Sequence, residues 1–338
     1  MKALFIGGTG MISSACARLA AKRGWELTML NRASKPDLVP EGVRVIKADV
    51  RGSLPDDLLD GEHFDTAVDF IAFTKEDIER DIRLLSGKTD QFIFISSASA
   101  YQKPIASLPI TESTPLINPY WAYSRAKIEC EDRLMRAARE EGFPVTIVRP
   151  SQTYSGEKIP LALKGSGGAW QTILRLRQGK RVIIPGDGNA LWTSTHADDF
   201  AQGFVGLMGN PRALGTAVHI TSDEALTWDQ IYSVLAATQN VPLHSVHISS
   251  DFISACGRRV GYDFEGPQQG DKTANVMFDN SKIRSLVPDF KPRISMAQGI
   301  RQGVRYLETH PECQISDAEF DAFCDRLLAA YDNALSAF

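Results

Sequence analysis

Ala3-Leu-Phe-Ile6-Gly7-Gly-Thr-Gly10-Met-Ile-Ser13 opens the chain and decides its fold. Four apolar residues running straight into glycines read as a buried strand that ends in a tight turn. A helical pattern then runs to Arg23, with Ile12, Cys16, Leu19 and Ala20 on one face. Gly24 stands where a helix-ending glycine belongs. Leu27–Leu30 is the next strand and stops at Asn31-Arg32. In such a strand–loop–helix–strand unit a pyrophosphate can rest on the helix N-terminus. Glycine lets the backbone come close, and the first N–H groups of the helix point outward. Ser13 replaces the third glycine of the usual pattern and is small enough for close helix–strand packing. An ordinary turn between strand and helix is the plainer reading of the same residues.

The pattern continues outward. Val43–Lys47 is a third strand, followed by Ala48-Asp49-Val50-Arg51, where Asp49 either accepts from an adenine amino group or is a turn residue. Thr66–Ala72 is a fourth, nearly all apolar as central parallel strands are. Lys75–Leu85 reads as a helix, and Gln91–Ser96 as a fifth strand leading into Ser97-Ala98-Ser99. A long helix runs to Glu140, and Val145–Val148 is a sixth strand. This alternation predicts an α/β protein with a doubly wound parallel sheet. Residues 1–155, with a segment near 192–222, are expected to form a dinucleotide-binding domain. Residues 156–191 and 223–338 are expected to form a smaller C-terminal substrate lobe. Within these, Val218–Thr221 is expected to return to the sheet as a strand. A capping box at Ser316-Asp-Ala-Glu319 should start the last helix. Its face of Phe320, Phe323, Leu327, Tyr331 and Leu335 suits core or subunit contact.

Composition narrows the function. Hydrophobic residues are 43% and charged residues 23%, ordinary for a globular protein with a sizeable core. The net charge of −4 favours neither nucleic acid nor an anionic membrane. The five cysteines are scattered and form no Cys-x-x-Cys, which argues against a disulfide framework or a zinc knuckle. His244-Ser-Val-His247 has no carboxylate or thiol at ligand spacing, so no metal is expected. The first apolar run is too short for a signal peptide, and no stretch approaches the ~20 apolar residues of a membrane helix. A cytoplasmic location follows as an expectation.

Two features point to hydride chemistry. Tyr123 and Lys127 stand at i and i+4, on one face of the long helix. A phenol titrates at about 10 in water, and an ammonium beside it should lower that value toward neutrality. The pair could then exchange a proton with an alcohol or ketone. Beyond the glycine loop, Asn31 and Arg32 stand where an acidic residue would hold the ribose 2′-OH of NAD. With no carboxylate to repel a 2′-phosphate, NADP is favoured over NAD.

Together, several segments resemble the extended short-chain dehydrogenase/reductase family, its NAD-dependent epimerase/dehydratase group. They are Gly7-Gly-Thr-Gly10, Phe94-Ile-Ser-Ser97 with Tyr101, Tyr123 with Lys127, and Arg149-Pro150 through Tyr154. His196-Ala-Asp-Asp199, Gly270-Asp271 and Asp279-Asn-Ser-Lys282 extend the likeness. The resemblance implies a Rossmann-type sheet and a bound NADP or NAD. It implies that Ser97 hydrogen-bonds the reacting oxygen and Tyr123 is the acid/base. Lys127 would tune the tyrosine and hold the nicotinamide ribose. Cofactor contacts would fall to Gly7, Gly10, Met11, Ile12, Asn31, Arg32, Asp49, Val50, Phe70, Ile71, Ala72, Tyr123, Lys127 and Pro150. The implied activity is hydroxyl–carbonyl interconversion on a sugar or sugar nucleotide. An epimerase is the first expectation, and an NADPH-dependent reductase of a small sugar or polyol the second. Family members pair through helices that correspond to residues 75–88 and 120–140, so a homodimer is expected.

The departures from the family are informative. Ala98 and Ser99 stand where dehydratases carry Asp-Glu, which discounts water elimination. Trp192 stands at one diphosphate-clamping arginine position. Near the other, Gly270-Asp271-Lys272-Thr273-Ala274 offers only Lys272. Lys158, Lys164, Arg175 and Arg177 could replace those clamps, and a smaller sugar could stack on Trp192 or Trp121. The stretch 190–235 also resembles the chloroplast stem-loop RNA-binding branch of the family, around His196 and Thr221–Ile231. That branch lacks the tyrosine kept here. RNA binding is therefore the alternative of another class.

Overall fold

Seven parallel strands form one sheet in the computed structural model, which describes every residue except Ser53, Asp56 and Phe338. The first elements are β1 (Lys2–Ile6), α1 (Met11–Lys22), β2 (Glu26–Asn31), β3 (Arg44–Lys47) and β4 (Thr66–Asp69). Then come α2 (Lys75–Leu85), β5 (Phe92–Ile95), α3 (Ala122–Glu140) and β6 (Val145–Pro150). The chain leaves the sheet through β7 (Gln152–Tyr154), α4 (Trp170–Arg177), β8 (Val182–Pro185), β9 (Leu191–Trp192), β10 (Ser194–His196) and α5 (Ala197–Leu207). It returns as β11 (Thr216–Ile220), then forms β12 (Leu226–Thr227), α6 (Trp228–Thr238) and β13 (Ser245–Ile248). The sheet order is β11-β6-β5-β4-β1-β2-β3. The winding reverses between β1 and β4, and beyond their carboxyl ends such sheets open a crevice.

Alternation along β1 explains the layers. Ala3 and Phe5 face a core shared with Cys16, Phe200 and Phe204, contributed by α1 and α5. Leu4 and Ile6 face the opposite core, with Ile78 and Ile82 of α2 and Cys130 and Leu134 of α3. Both faces are covered at the centre of the sheet, so β5 is buried and apolar along its whole length, whereas the edge strand β3 is largely exposed. Each fully buried phenylalanine among them contributes about 2–3 kcal/mol. A third core gathers Trp192, Trp228, Tyr232 and Ile300. A fourth joins Phe320, Phe323 and Leu327 of the Ala318–Ser336 helix to Ile253 and Phe264.

Three expectations need correction. β4 ends at Asp69 rather than Ala72. The buried Asp69 carboxylate accepts from the backbone N–H groups of Ile71 and Ala72 and so turns the chain out of the strand. Arg80 of α2 holds the other Asp69 oxygen at 2.8 Å and also binds Asp81. At the C-terminus the last helix is capped by Asp317, which accepts from Phe320 N–H, and not by Ser316. Leu335, counted on the apolar face of that helix, is 58% exposed. Among the described residues no helix is long and apolar enough to cross a membrane.

Candidate active site in the sheet crevice

The glycine loop forms one wall of the crevice. Gly7 and Gly8 sit at φ +99° and +96°, where side chains are strained, and a Cβ on Gly8 would meet Met29 Sδ at 2.8 Å. Gly10 caps α1 at an ordinary φ of −85°, and a Cβ there would meet only Ser13 Oγ at 3.4 Å. Ser13 does more than stay small: its hydroxyl accepts from Gly10 N–H and donates to Gly10 C=O. The first turn of α1 holds no carboxylate. An open backbone surface at a helix N-terminus without negative charge fits a dinucleotide pyrophosphate.

A cavity of about 160 Å³ beside this loop is lined by Gly7, Asn31, Arg32, Asp49, Val50, Arg51 and Ile71, among others. The Asn31 amide is already engaged, donating to Gly7 C=O and accepting from Ala33 N–H. Asn31 therefore shapes the loop, while exposed Arg32 lines the cavity. Asp49 accepts from Arg51 N–H, as a turn residue does, and also lines the cavity.

The larger cavity, about 390 Å³, lies at the ends of β5 and β6. Ile12, Phe70, Phe73, Ser97, Trp121, Tyr123, Lys127 and Pro150 line it, as do Trp192, Asp271 and Lys272. The structure thus brings Ser97, Tyr123 and Lys127 into one space. Gly10, Met11 and Ala72 line neither cavity. Met11 packs on the core under α1, and Ala72 acts through its carbonyl.

Lys127 is 2% exposed, and its ammonium donates to Ala72 C=O at 2.7 Å and Ile95 C=O at 2.8 Å. Those bonds tie the ends of β4 and β5 together and leave one ammonium proton for the cavity. Burial pushes the Lys127 pKa down to about 8. The expected lowering of the Tyr123 phenol does not occur. Burial raises it, a Ser97 hydrogen bond pulls it down in part, and the Asp271 charge raises it again. The ammonium lies 5.9 Å from the phenol ring centre, turned onto the two carbonyls. At neutral pH Tyr123 is therefore a protonated phenol.

The opposite wall is built from Trp192, Asp271 and Lys272. Trp192 is buried to 2%, donates from Nε1 to Gln152 Oε1 at 2.6 Å and stacks on Trp228 at 5.1 Å. Lys272 sits 4.1 Å above the Trp192 ring and pairs with Asp271. None of the four basic residues proposed as replacement clamps lines this cavity. Arg175 is held by Asp321 and Asp325 against the last helix, Arg177 pairs with Glu308, and Lys158 pairs with Glu157. Trp121, 4.8 Å from the Tyr123 ring, remains as a stacking surface on the cavity.

The sequence reading did not show how several residues join at the site, because most of their partners are far apart in the chain. Ser99 and Ser124 join Ser97 in a run of hydroxyls. Beneath the site, Arg149 and Glu131 form a buried bidentate pair that also holds Ser96. Lys103 is 3% exposed, and its ammonium has no hydrogen-bond partner among the described residues. An arginine closing an apolar strand and a serine inside a helix were the available signals. His196 caps α5 by accepting from Asp198 N–H and packs edge-on against Tyr154, a structural role. His247 meets Asp229 at 2.7 Å, yet no metal-ligand cluster exists among the described residues.

The NAD dependent epimerase/dehydratase family model matches residues 82–220, from the end of α2 to the end of β11. A 2'-dehydrokanamycin reductase from Streptomyces kanamyceticus is 25% identical over 258 residues, 75% of this chain and 70% of that one. The chloroplast stem-loop binding protein of 41 kDa b from Arabidopsis thaliana is 25% identical over 257 residues, 71% of this chain and 64% of that one. Among solved structures, UDP-glucuronic acid 4-epimerase from Bacillus cereus in complex with NAD superposes with a TM-score of 0.69. That match is at 18% identity, over 91% of this chain and 99% of that one, and establishes the shared fold. The matched segment carries β5, α3 and β6, the elements that bring Ser97, Tyr123 and Lys127 together, and over that segment the chain is similar to the NAD-dependent epimerase/dehydratase family.

Proposed function

We propose that this protein is an NADP(H)-preferring oxidoreductase that interconverts a ketone and a secondary alcohol on a compact, sugar-like substrate. The carrying observation is the opposite wall, where buried Trp192 and the Asp271–Lys272 pair stand in place of two arginine clamps. An epimerase must keep its oxidised intermediate bound while the ring turns to offer its other face. An anchor far from the reacting carbon does this, and a nucleoside diphosphate held by bidentate arginines is such an anchor. Without it the ketone is free to leave, and one-way reduction or oxidation is the supported outcome.

The glycine loop and Lys127 would hold a nicotinamide dinucleotide, which when bound would supply or accept the hydride at the substrate carbon. This chain's residues do the rest. Residues 1–155 and 192–222 would hold the cofactor. Arg32 at the rim suits a 2′-phosphate. The third proton of Lys127 would hold a ribose hydroxyl. Tyr123, protonated at neutral pH, gives its proton to the oxygen of a ketone. Ser97 donates a hydrogen bond to that same oxygen. One relative is named a reductase, which supports the reductase part of this reading.

The purified protein, denatured, should release no stoichiometric NAD. It should bind NADPH more tightly than NADH and oxidise it with members of a keto-sugar panel. Tyr123→Phe should lower that rate by about 10²–10⁴-fold with binding of NADPH retained. Stoichiometric NAD in the denatured supernatant, with interconversion of nucleotide-sugar epimers, would overturn the proposal in favour of the epimerase. RNA retention that survives Tyr123→Phe without hydride transfer would point to the stem-loop binding relatives instead.

A further inference from the structure

Ser97 is one end of a run of three hydroxyls. Ser124, fully buried on α3 directly after Tyr123, donates to Ser99 Oγ at 2.8 Å. Ser99 Oγ lies 2.9 Å from Ser97 Oγ. The Ser99 backbone N–H also reaches Ser97 Oγ, at 3.2 Å. A hydroxyl has one proton and two acceptor positions. Ser99 accepts from Ser124, so its own proton is available to Ser97, and among the described residues no other acceptor is bonded to it. Ser97 then accepts twice from one side, from Ser99 Oγ and from Ser99 N–H. What remains to it is its own proton, which faces Tyr123 and the cavity.

We propose that Ser99 and Ser124 are positioning residues that hold the Ser97 hydroxyl as a fixed donor toward the reacting oxygen. The assignment rests on the reading of this site as one for carbonyl–alcohol chemistry. An unconstrained serine would spend part of its time accepting from the Tyr123 phenol. That arrangement would hold back the proton Tyr123 must give. With both acceptor positions of Ser97 filled, the two groups cannot pair in that sense. Ser97 stabilises negative charge on an oxygen in front of it and keeps its own proton throughout, while Tyr123 transfers one. A preset donor needs no reorientation as charge develops. Ser99 stands where the family's dehydratases carry a carboxylate. A carboxylate there could only accept, which would draw the Ser97 proton inward.

The Tyr123 phenol reports on this arrangement without substrate or cofactor. Besides Ser97, the charged groups facing it are Lys127 on the same helix and the Asp271–Lys272 pair. Tyrosine labelled with ¹³C at Cζ, with the Tyr123 signal assigned by Tyr123→Phe, gives its titration by NMR. Ser97→Ala should raise the Tyr123 pKa by about half a unit or more. Ser99→Ala and Ser124→Ala, made separately, should each raise it by part of that shift, and Ser99→Thr should restore the wild-type value. Ser97→Ala/Ser99→Ala should titrate like Ser97→Ala alone, because the hydroxyls act in series. If Ser99→Ala and Ser124→Ala leave the titration unchanged while Ser97→Ala moves it, the proposal is overturned and the reading of the site survives. If Ser97→Ala moves nothing, both fall. The remaining tyrosine signals show whether each variant is folded.

Discussion

Lys103 shows how a single side chain can work against stability. Among the described residues its buried ammonium has no hydrogen bond; it lies near Asp271 and Lys272, and burial lowers its pKa. A lowered folded value means the unfolded chain binds more protons over that interval. The penalty is therefore full below the folded pKa and fades as pH rises toward the ordinary lysine value of about 10.5. Lys103→Met, similar in length and uncharged, should stabilise the protein by about 1–3 kcal/mol. Urea denaturation should show a gain at pH 7 that shrinks toward pH 10, and a loss at pH 7 would contradict the account. Nothing local in the sequence marks Lys103, because its burial comes from segments near residues 117 and 271. The same holds for Ser124, whose partner Ser99 lies 25 residues earlier in the chain. Tyr123 and Lys127 were legible because one helical turn brings them together.

At the scale of elements, the β1–α1 loop and the end of α1 use glycine for different reasons. Gly8 needs both its positive φ and the space that Met29 fills, whereas Gly24, at φ +82°, has nothing within 4 Å of a would-be Cβ. Gly24→Ala should therefore lower stability by about 1–2 kcal/mol through backbone strain alone and leave NADPH binding intact. Gly8→Ala should lose more and also weaken NADPH binding, because relieving the Met29 clash moves the loop. Thermal melts with and without NADPH separate the two, and equal effects on binding would refute the distinction. Strand and helix positions were readable because apolar runs and helical periodicity are local signals. β4 was read too long because a buried carboxylate, held by an arginine on the next helix, outweighed the apolar run. The last helix was read one residue early because Ser316 and Asp317 are both good caps, and only the aspartate reaches Phe320 N–H.

For the molecule as a whole, the doubly wound sheet was legible from alternation, but the layout beyond residue 155 was not. There the elements are short, and their partners are set by tertiary contacts such as Trp192 on Trp228. Expecting Val218–Thr221 to rejoin the sheet located β11 within two residues, and its pairing with β6 is parallel. That pairing bears on how the polypeptide matures. Before β11 and α5 exist, β6 has one unsatisfied flank, and the Phe5 side of the sheet lacks Phe200 and Phe204. A translation product stopped at residue 155 should thus expose a templating edge and a greasy surface together, and precipitate where the whole chain stays dispersed. Light scattering after expression of the two lengths would show it. The first half of the chain is, on this view, not a detachable cassette: what comes off the ribosome later closes what came first.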